Sequence, residues 1–134
     1  MTYLLDTTTY ILQGAGITLR LFALTLIFSL PLGFLGAVGK VSGRRVLTLP
    51  LGLYTSVVRG TPLLLQLFFV YYGLPLMIPA LRFERFTAAA LTFIINYAAY
   101  FVEIFRGGIQ SIDRGQYEAA RVLGMTYRQT MVRI

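Results

Sequence analysis

The sequence contains no cysteine and no histidine. Their absence excludes disulfide staples, thiol nucleophiles, zinc clusters and imidazole acid–base chemistry. Charge is also scarce. Only 13% of the residues are charged, against roughly 25% in a typical soluble domain. Acids are the scarcest of all, with five Asp and Glu in 134 residues. Apolar residues take their place, at 57% of the chain and a mean hydropathy of +0.72. That balance argues against a soluble globule, and equally against disorder, which needs low hydrophobicity. The length suits one ordinary domain, or about three to five membrane helices of about 20 residues each.

Charge-free windows locate the spans. Residues 21–39, 63–81 and 86–102 carry no charge, and the last window reaches Phe105 if Glu103 is accepted near its end. Each approaches the length that a bilayer core of about 30 Å demands of a helix. The expectation is a single transmembrane domain with spans at about 18–39, 62–81 and 86–105. A shorter apolar run at 46–58 contains Pro50 and is flanked by Arg44, Arg45 and Arg59. It reads as an interfacial segment lying along the membrane or extending the second span, with a buried stretch of that span as the alternative. Residues 1–19 hold one acid, Asp6, and read as a short interfacial lead. No basic region precedes an apolar one there, so no cleavable signal peptide is expected. No internal repeat or low-complexity tract is present.

The net charge of +7 comes from eleven Arg and one Lys against the five acids. Its distribution matters more than its size. Lys40, Arg44, Arg45 and Arg59 lie between the first two spans. Arg106, Arg114, Arg121, Arg128 and Arg133 follow the third, whereas the intervening loop has Arg82 and Arg85 beside Glu84. By the positive-inside rule the first loop and the C-terminal region are cytoplasmic and the N-terminus is outside. The positive charge is therefore a topology signal, and no nucleic-acid partner is expected.

Two polar stripes stand out. Thr18, Thr25, Ser29, Gly33 and Gly36 share one face of the first span, a spacing that favours close helix packing in lipid. Thr92, Asn96, Tyr100 and Glu103 share a face of the third. Polar groups at membrane depth face a bundle interior or a water-filled path. For Asn96 and Tyr100, path lining and interhelical hydrogen bonding both remain open, as they do for Gln66 in the second span. For Glu103 an interfacial pair with Arg106 is favoured. Thr61-Pro62 marks the start of the second span, with Thr61 as its N-cap. Pro75 and Pro79 suggest a break near its far end.

After the third span, Asp113 with Gln116 starts a short helix that Gly124 stops, and Thr126 with Gln129 starts another. A helix of about ten residues is not stable alone in water. It must dock on a cytoplasmic partner or on the protein's own helices.

These residues resemble a known family. Glu118-Ala119-Ala120, then Gly124, then Ile134 looks like the Glu-Ala-Ala loop of ABC importer permeases, in which one further residue and Leu-Pro follow the Ile. The run Arg59-Gly60-Thr61-Pro62-Leu63-Leu64-Leu65-Gln66-Leu67-Phe68-Phe69-Val70-Tyr71-Tyr72-Gly73-Leu74-Pro75 resembles the polar amino-acid branch. So do Ala98 through Gly107, continuing to Gly115-Gln116, and Gly14 with Thr18-Leu19 upstream. The resemblance implies an all-α type I permease fold in the bacterial cytoplasmic membrane. It makes residues 111–125 a coupling segment that docks on an ATPase subunit through Tyr117, Glu118, Ala119, Ala120, Arg121 and Gly124.

The resemblance also implies a second permease subunit, identical or paralogous, and an extracytoplasmic amino-acid-binding protein. ATP and magnesium would sit in the partner; no phosphate-cradling Gly-rich loop with Lys occurs here, so no catalysis is expected of this chain. Because the branch usually has five spans, the sequence reads as the first part of such a subunit, with a fourth span starting from 126. The competing readings are a small membrane scaffold and a fragment of a secondary transporter. The latter would need ionisable pairs deep in the spans.

Overall fold

The computed structural model describes residues 2–134, and its regular elements are all helices. Helix α1 spans Thr2–Val41, α2 Arg45–Gly60 and α3 Leu63–Phe68. A π-helical turn at Phe69–Gly73 joins α3 to α4, Leu74–Met77. Then follow α5 at Arg85–Gln110, α6 at Arg114–Val122 and α7 at Tyr127–Arg133.

Among the described residues, two helices are long and apolar enough to cross a bilayer unaided. They are α5, 26 residues, and the Asp6–Val41 stretch of α1, 36 residues. Residues 2–19, the described part of the expected lead at 1–19, are not a separate element, because α1 continues through them without a break. No glycine at positive φ and no residue in extended conformation interrupts it, and Pro31 is accommodated inside the helix. The third span, expected at 86–105, runs on to Gln110.

In the region of the second expected span the helical segment covers Leu63–Met77, and it turns through 104° relative to α2. The run at 46–58 becomes α2, the other arm of this broken pair, with Thr55 buried. Two features of the sequence explain the break. Pro62 cannot continue the backbone ladder of α2, and Thr61 is extended at φ −113°, ψ 138°. Thr61 is thus the C-cap of α2, and Pro62 occupies the N-cap position of α3. The helix ends at Met77, beyond Pro75 and short of Pro79.

The interior is built from small residues. Among the described residues, the buried hydrophobics are Ala37, Ala88, Ala90, Ala98, Ala99, Val102 and Ala120. Large side chains such as Phe22, Ile27, Leu35, Leu53 and Ile104 lie on the outside. In water this would leave an apolar surface far beyond what a monomer tolerates. In lipid, helix pairing comes from close backbone approach rather than from apolar burial. The α1–α5 pair shows it. A Cβ on Gly33 would collide with the Phe101 side chain, and one on Gly36 would stand 2.5 Å from Val102 Cγ2. Ser29 and Thr25 on the same stripe are buried, their hydroxyls donating to carbonyls one turn back.

Candidate functional site: a polar seam and a short exposed helix

The polar residues within the bundle sort into two clusters. The first gathers at the end of α1. The Glu103 carboxylate on α5 pairs with Lys40 on α1 and with Arg106 one turn along its own helix. Arg106 Nη2 lies 2.8 Å from Glu103 Oε2, and its Nη1 donates to Gln110 Oε1 at 2.5 Å. Lys40 Nζ also donates to Thr55 Oγ1 on α2 at 3.0 Å. One acid thereby ties three helices together. Both its neutralising cations are at hand, as a largely buried carboxylate requires.

The expected Glu103–Arg106 pair is present, and Lys40 and Thr55 join it from other helices, which the pattern along α5 does not specify. A signal existed: Lys40 continues the Gly33, Gly36 face at the next helical step.

The second cluster lies at the break. Asn96, 4% exposed, donates from Nδ2 to Gln66 Oε1 at 3.0 Å. Gln66 Nε2 donates to the carbonyls of Val58 and Thr61 and to the Thr61 hydroxyl, at 2.8, 3.1 and 2.7 Å. Of the stripe on α5, therefore, Asn96 and Glu103 serve different clusters. Thr92 is buried and donates to Ala88 O of its own helix at 2.7 Å. Tyr100 is 40% exposed, with the Arg59 guanidinium 5.4 Å over its ring. Tyr54, which the sequence did not single out, donates to Ile95 O at 2.5 Å and fastens α2 to α5.

The segment after α5 is locally self-determined. The Asp113 carboxylate accepts the Gly115 N–H at 2.7 Å, so it caps α6 one residue earlier than a box with Gln116 requires. At the other end Met125 N–H donates to Ala120 O and Gly124 N–H to Arg121 O, each at 3.0 Å. That pair of bonds is the Schellman arrangement, and Gly124 takes the left-handed φ of +69° it requires. Thr126 and Gln129 form a reciprocal capping box at the start of α7.

Glu118, Ala119 and Arg121 are exposed and Tyr117 is half-buried, while Ala120 is buried. Val122 and Leu123 are 87% and 77% exposed. Tyr117 also borders a cavity of about 390 Å³ shared with Val38, Val41, Ile109, Tyr127 and Met131.

Comparison with known proteins gives these features a context. Residues 8–134 match the family model described as "binding-protein-dependent transport system inner membrane component". The chain is 43% identical over 122 residues to the arginine transport system permease protein ArtQ of Bacillus subtilis, covering 91% of this chain and 55% of that one. It is 41% identical over 116 residues to a putative glutamine transport system permease protein GlnP of Rickettsia conorii, covering 87% of this chain and 53% of the other. A crystal structure described as an amino acid ABC transporter with histidines superposes with a TM-score of 0.85 at 39% identity, covering 96% of this chain and 59% of that one. The chain spans about half the length of the curated relatives it matches. The family match and the structural superposition extend over nearly all of its residues, and the chain belongs to the family of inner-membrane components of binding-protein-dependent transport systems.

Proposed function

We propose that the protein acts in the permease subunit of an ATP-driven importer that moves polar amino acids across the bacterial cytoplasmic membrane. α6 carries the reading. It is a short helix capped at both ends by its own sequence, and it presents Glu118, Ala119 and Arg121 beside the exposed apolar pair Val122 and Leu123. A unit that is rigid in itself yet has so much uncovered surface suits docking in a groove of an ATPase subunit. In this reading the buried Ala120 seats α6, Gly124 makes the turn behind it, and Tyr117 and Arg121 border the contact. ATP and magnesium belong to that partner, and this chain supplies the moving helices.

The names of relatives, which specify arginine and glutamine transport, support a polar amino acid as cargo. An extracytoplasmic binding protein and a second permease subunit complete the assembly. The distribution of Lys and Arg supports a cytoplasmic α6 and an outside N-terminus. Within the α5 stripe, Tyr100 retains exposed surface for a transport pathway.

The test uses the complete subunit with its ATPase and binding protein in proteoliposomes. Glu118→Lys and Gly124→Pro are each expected to abolish ATP-dependent amino-acid uptake while leaving membrane insertion intact. Normal uptake in both variants overturns the coupling role of α6. Uptake that persists after ATP depletion overturns the importer reading itself.

A further inference from the structure

Pro62 withholds a donor that its neighbourhood needs. In an α-helix the carbonyl of residue 58 receives the N–H of residue 62, and proline has none. Nor does the extended Thr61 continue the helix to satisfy Val57. Yet both carbonyls are occupied. The Thr61 hydroxyl donates to Val57 O at 2.9 Å and reaches Val58 O only at 3.4 Å, whereas Gln66 Nε2 donates to Val58 O at 2.8 Å. The Gln66 amide comes from the first turn of the next helix, so it bridges the break. It also reaches the Thr61 carbonyl and hydroxyl. Breaks at membrane depth persist where freed backbone groups find such substitutes. On its other side the same carboxamide is held by Asn96 Nδ2 at 3.0 Å. Asn96 therefore determines which way the Gln66 amide faces.

We propose that Gln66 is the positioning residue of the bend between α2 and α3. It stands in for the N–H that Pro62 lacks and so holds the two arms at their 104° turn; Asn96 keeps its carboxamide oriented for that task. A joint closed by a side chain can open and reclose without unwinding a helix, which is what a hinge within a moving bundle requires. In this assignment Gln66 and Asn96 act on the backbone of α2, and a transported solute does not touch them.

These 134 residues contribute no competing cysteine, so a pair introduced here can be labelled cleanly once any cysteine elsewhere in the complete subunit is replaced. Leu49→Cys on α2 and Leu76→Cys on α4 place spin labels at exposed positions on the two arms. Gln66→Met preserves the side chain's length and removes its donors. In the complete subunit in lipid, this variant is expected to lengthen and broaden the interspin distance distribution. A distribution identical to the parent's overturns the proposal.

A second readout rests on the transport reading. The maximal uptake rate is expected to fall about tenfold, the scale of one hydrogen bond lost at the bend, with the half-saturating amino-acid concentration unchanged. A raised half-saturating concentration at full rate would mean solute contact and overturns it. If Gln66→Met does not insert, Asn96→Leu leaves the bonds to Val58 and Thr61 available and is expected to broaden the same distribution less. No broadening there overturns the proposal too. The distance result holds or fails whatever the importer carries.

Discussion

Along α1 and α5 two helices meet because Gly33 and Gly36 place nothing between them; at the bend, α2 and α3 are fastened because Gln66, Thr61 and Asn96 add polar atoms. The first contact is made by removing side chains and the second by supplying them. Lipid is as apolar as leucine, so burying more hydrocarbon brings no advantage at either place. Close approach suits two unbroken helices whose own backbones are already satisfied. A broken span has unsatisfied carbonyls, and only donors can serve it. The seam is thus vulnerable to added volume, and the bend to lost hydrogen bonds.

The largest effect is expected at the seam. Gly33→Leu forces a side chain against Phe101, whose backbone carbon would lie 3.2 Å from the new Cβ, and against the Ala98 carbonyl oxygen at 3.3 Å. Such overpacking costs about 3 kcal/mol, read as the loss of unfolding free energy in a detergent titration followed by helical circular dichroism. A neutral result would mean that the two helices can separate without cost, and the contrast with the bend would collapse.

Lys40→Met tests the cluster that joins both regions. It leaves Glu103 with Arg106 alone and Thr55 without its lysine contact. Removing one partner of a part-buried pair that keeps the other is expected to cost about 2 kcal/mol. Restoration by Lys40→Arg would show that charge, rather than stem packing, accounts for the loss. The smallest effect lies outside both regions. Thr126→Ala removes one half of the α7 capping box and is expected to cost about 1 kcal/mol locally. Its measure is faster amide exchange at the first turn of α7 with the α1–α5 core unchanged. Faster exchange throughout the bundle would mean that α7 supports the seam as well.

The caps around α6 and α7 were legible in the sequence because they are local. Thr126 and Gln129 lie three residues apart and bond each other, and Gly124 is the residue type a left-handed position selects. The small-residue face of α1 was legible for the same reason, being a property of one helix. The bend was legible only in part: the run at 46–58 stood apart from the span that follows it, but neither its angle nor the way the break is closed could be read. Pro62 read as an ordinary helix start, because a proline suits a first turn as well as it ends a preceding helix. Nor do the partners of Gln66 and Glu103 follow from periodicity, since Asn96 and Lys40 reach them across space. Periodicity assigns a residue to a face; which element covers that face depends on the turn between elements.

The length of α1 bears on the membrane itself. At about 1.5 Å per residue, the 36 residues of Asp6–Val41 extend about 54 Å, against a hydrocarbon slab of about 30 Å. Tilts observed for such helices, up to about 40°, do not absorb the excess. Arg20 divides the helix at the point where its uncharged stretch begins, and its guanidinium favours the headgroup layer. With Arg20 held at the headgroup layer, the turns before it would lie outside the acyl chains. A thicker bilayer would draw Leu19 and Ile17 inward and strain Arg20, so the thickness of the host membrane becomes a variable that acts directly on the helix against which α5 is packed.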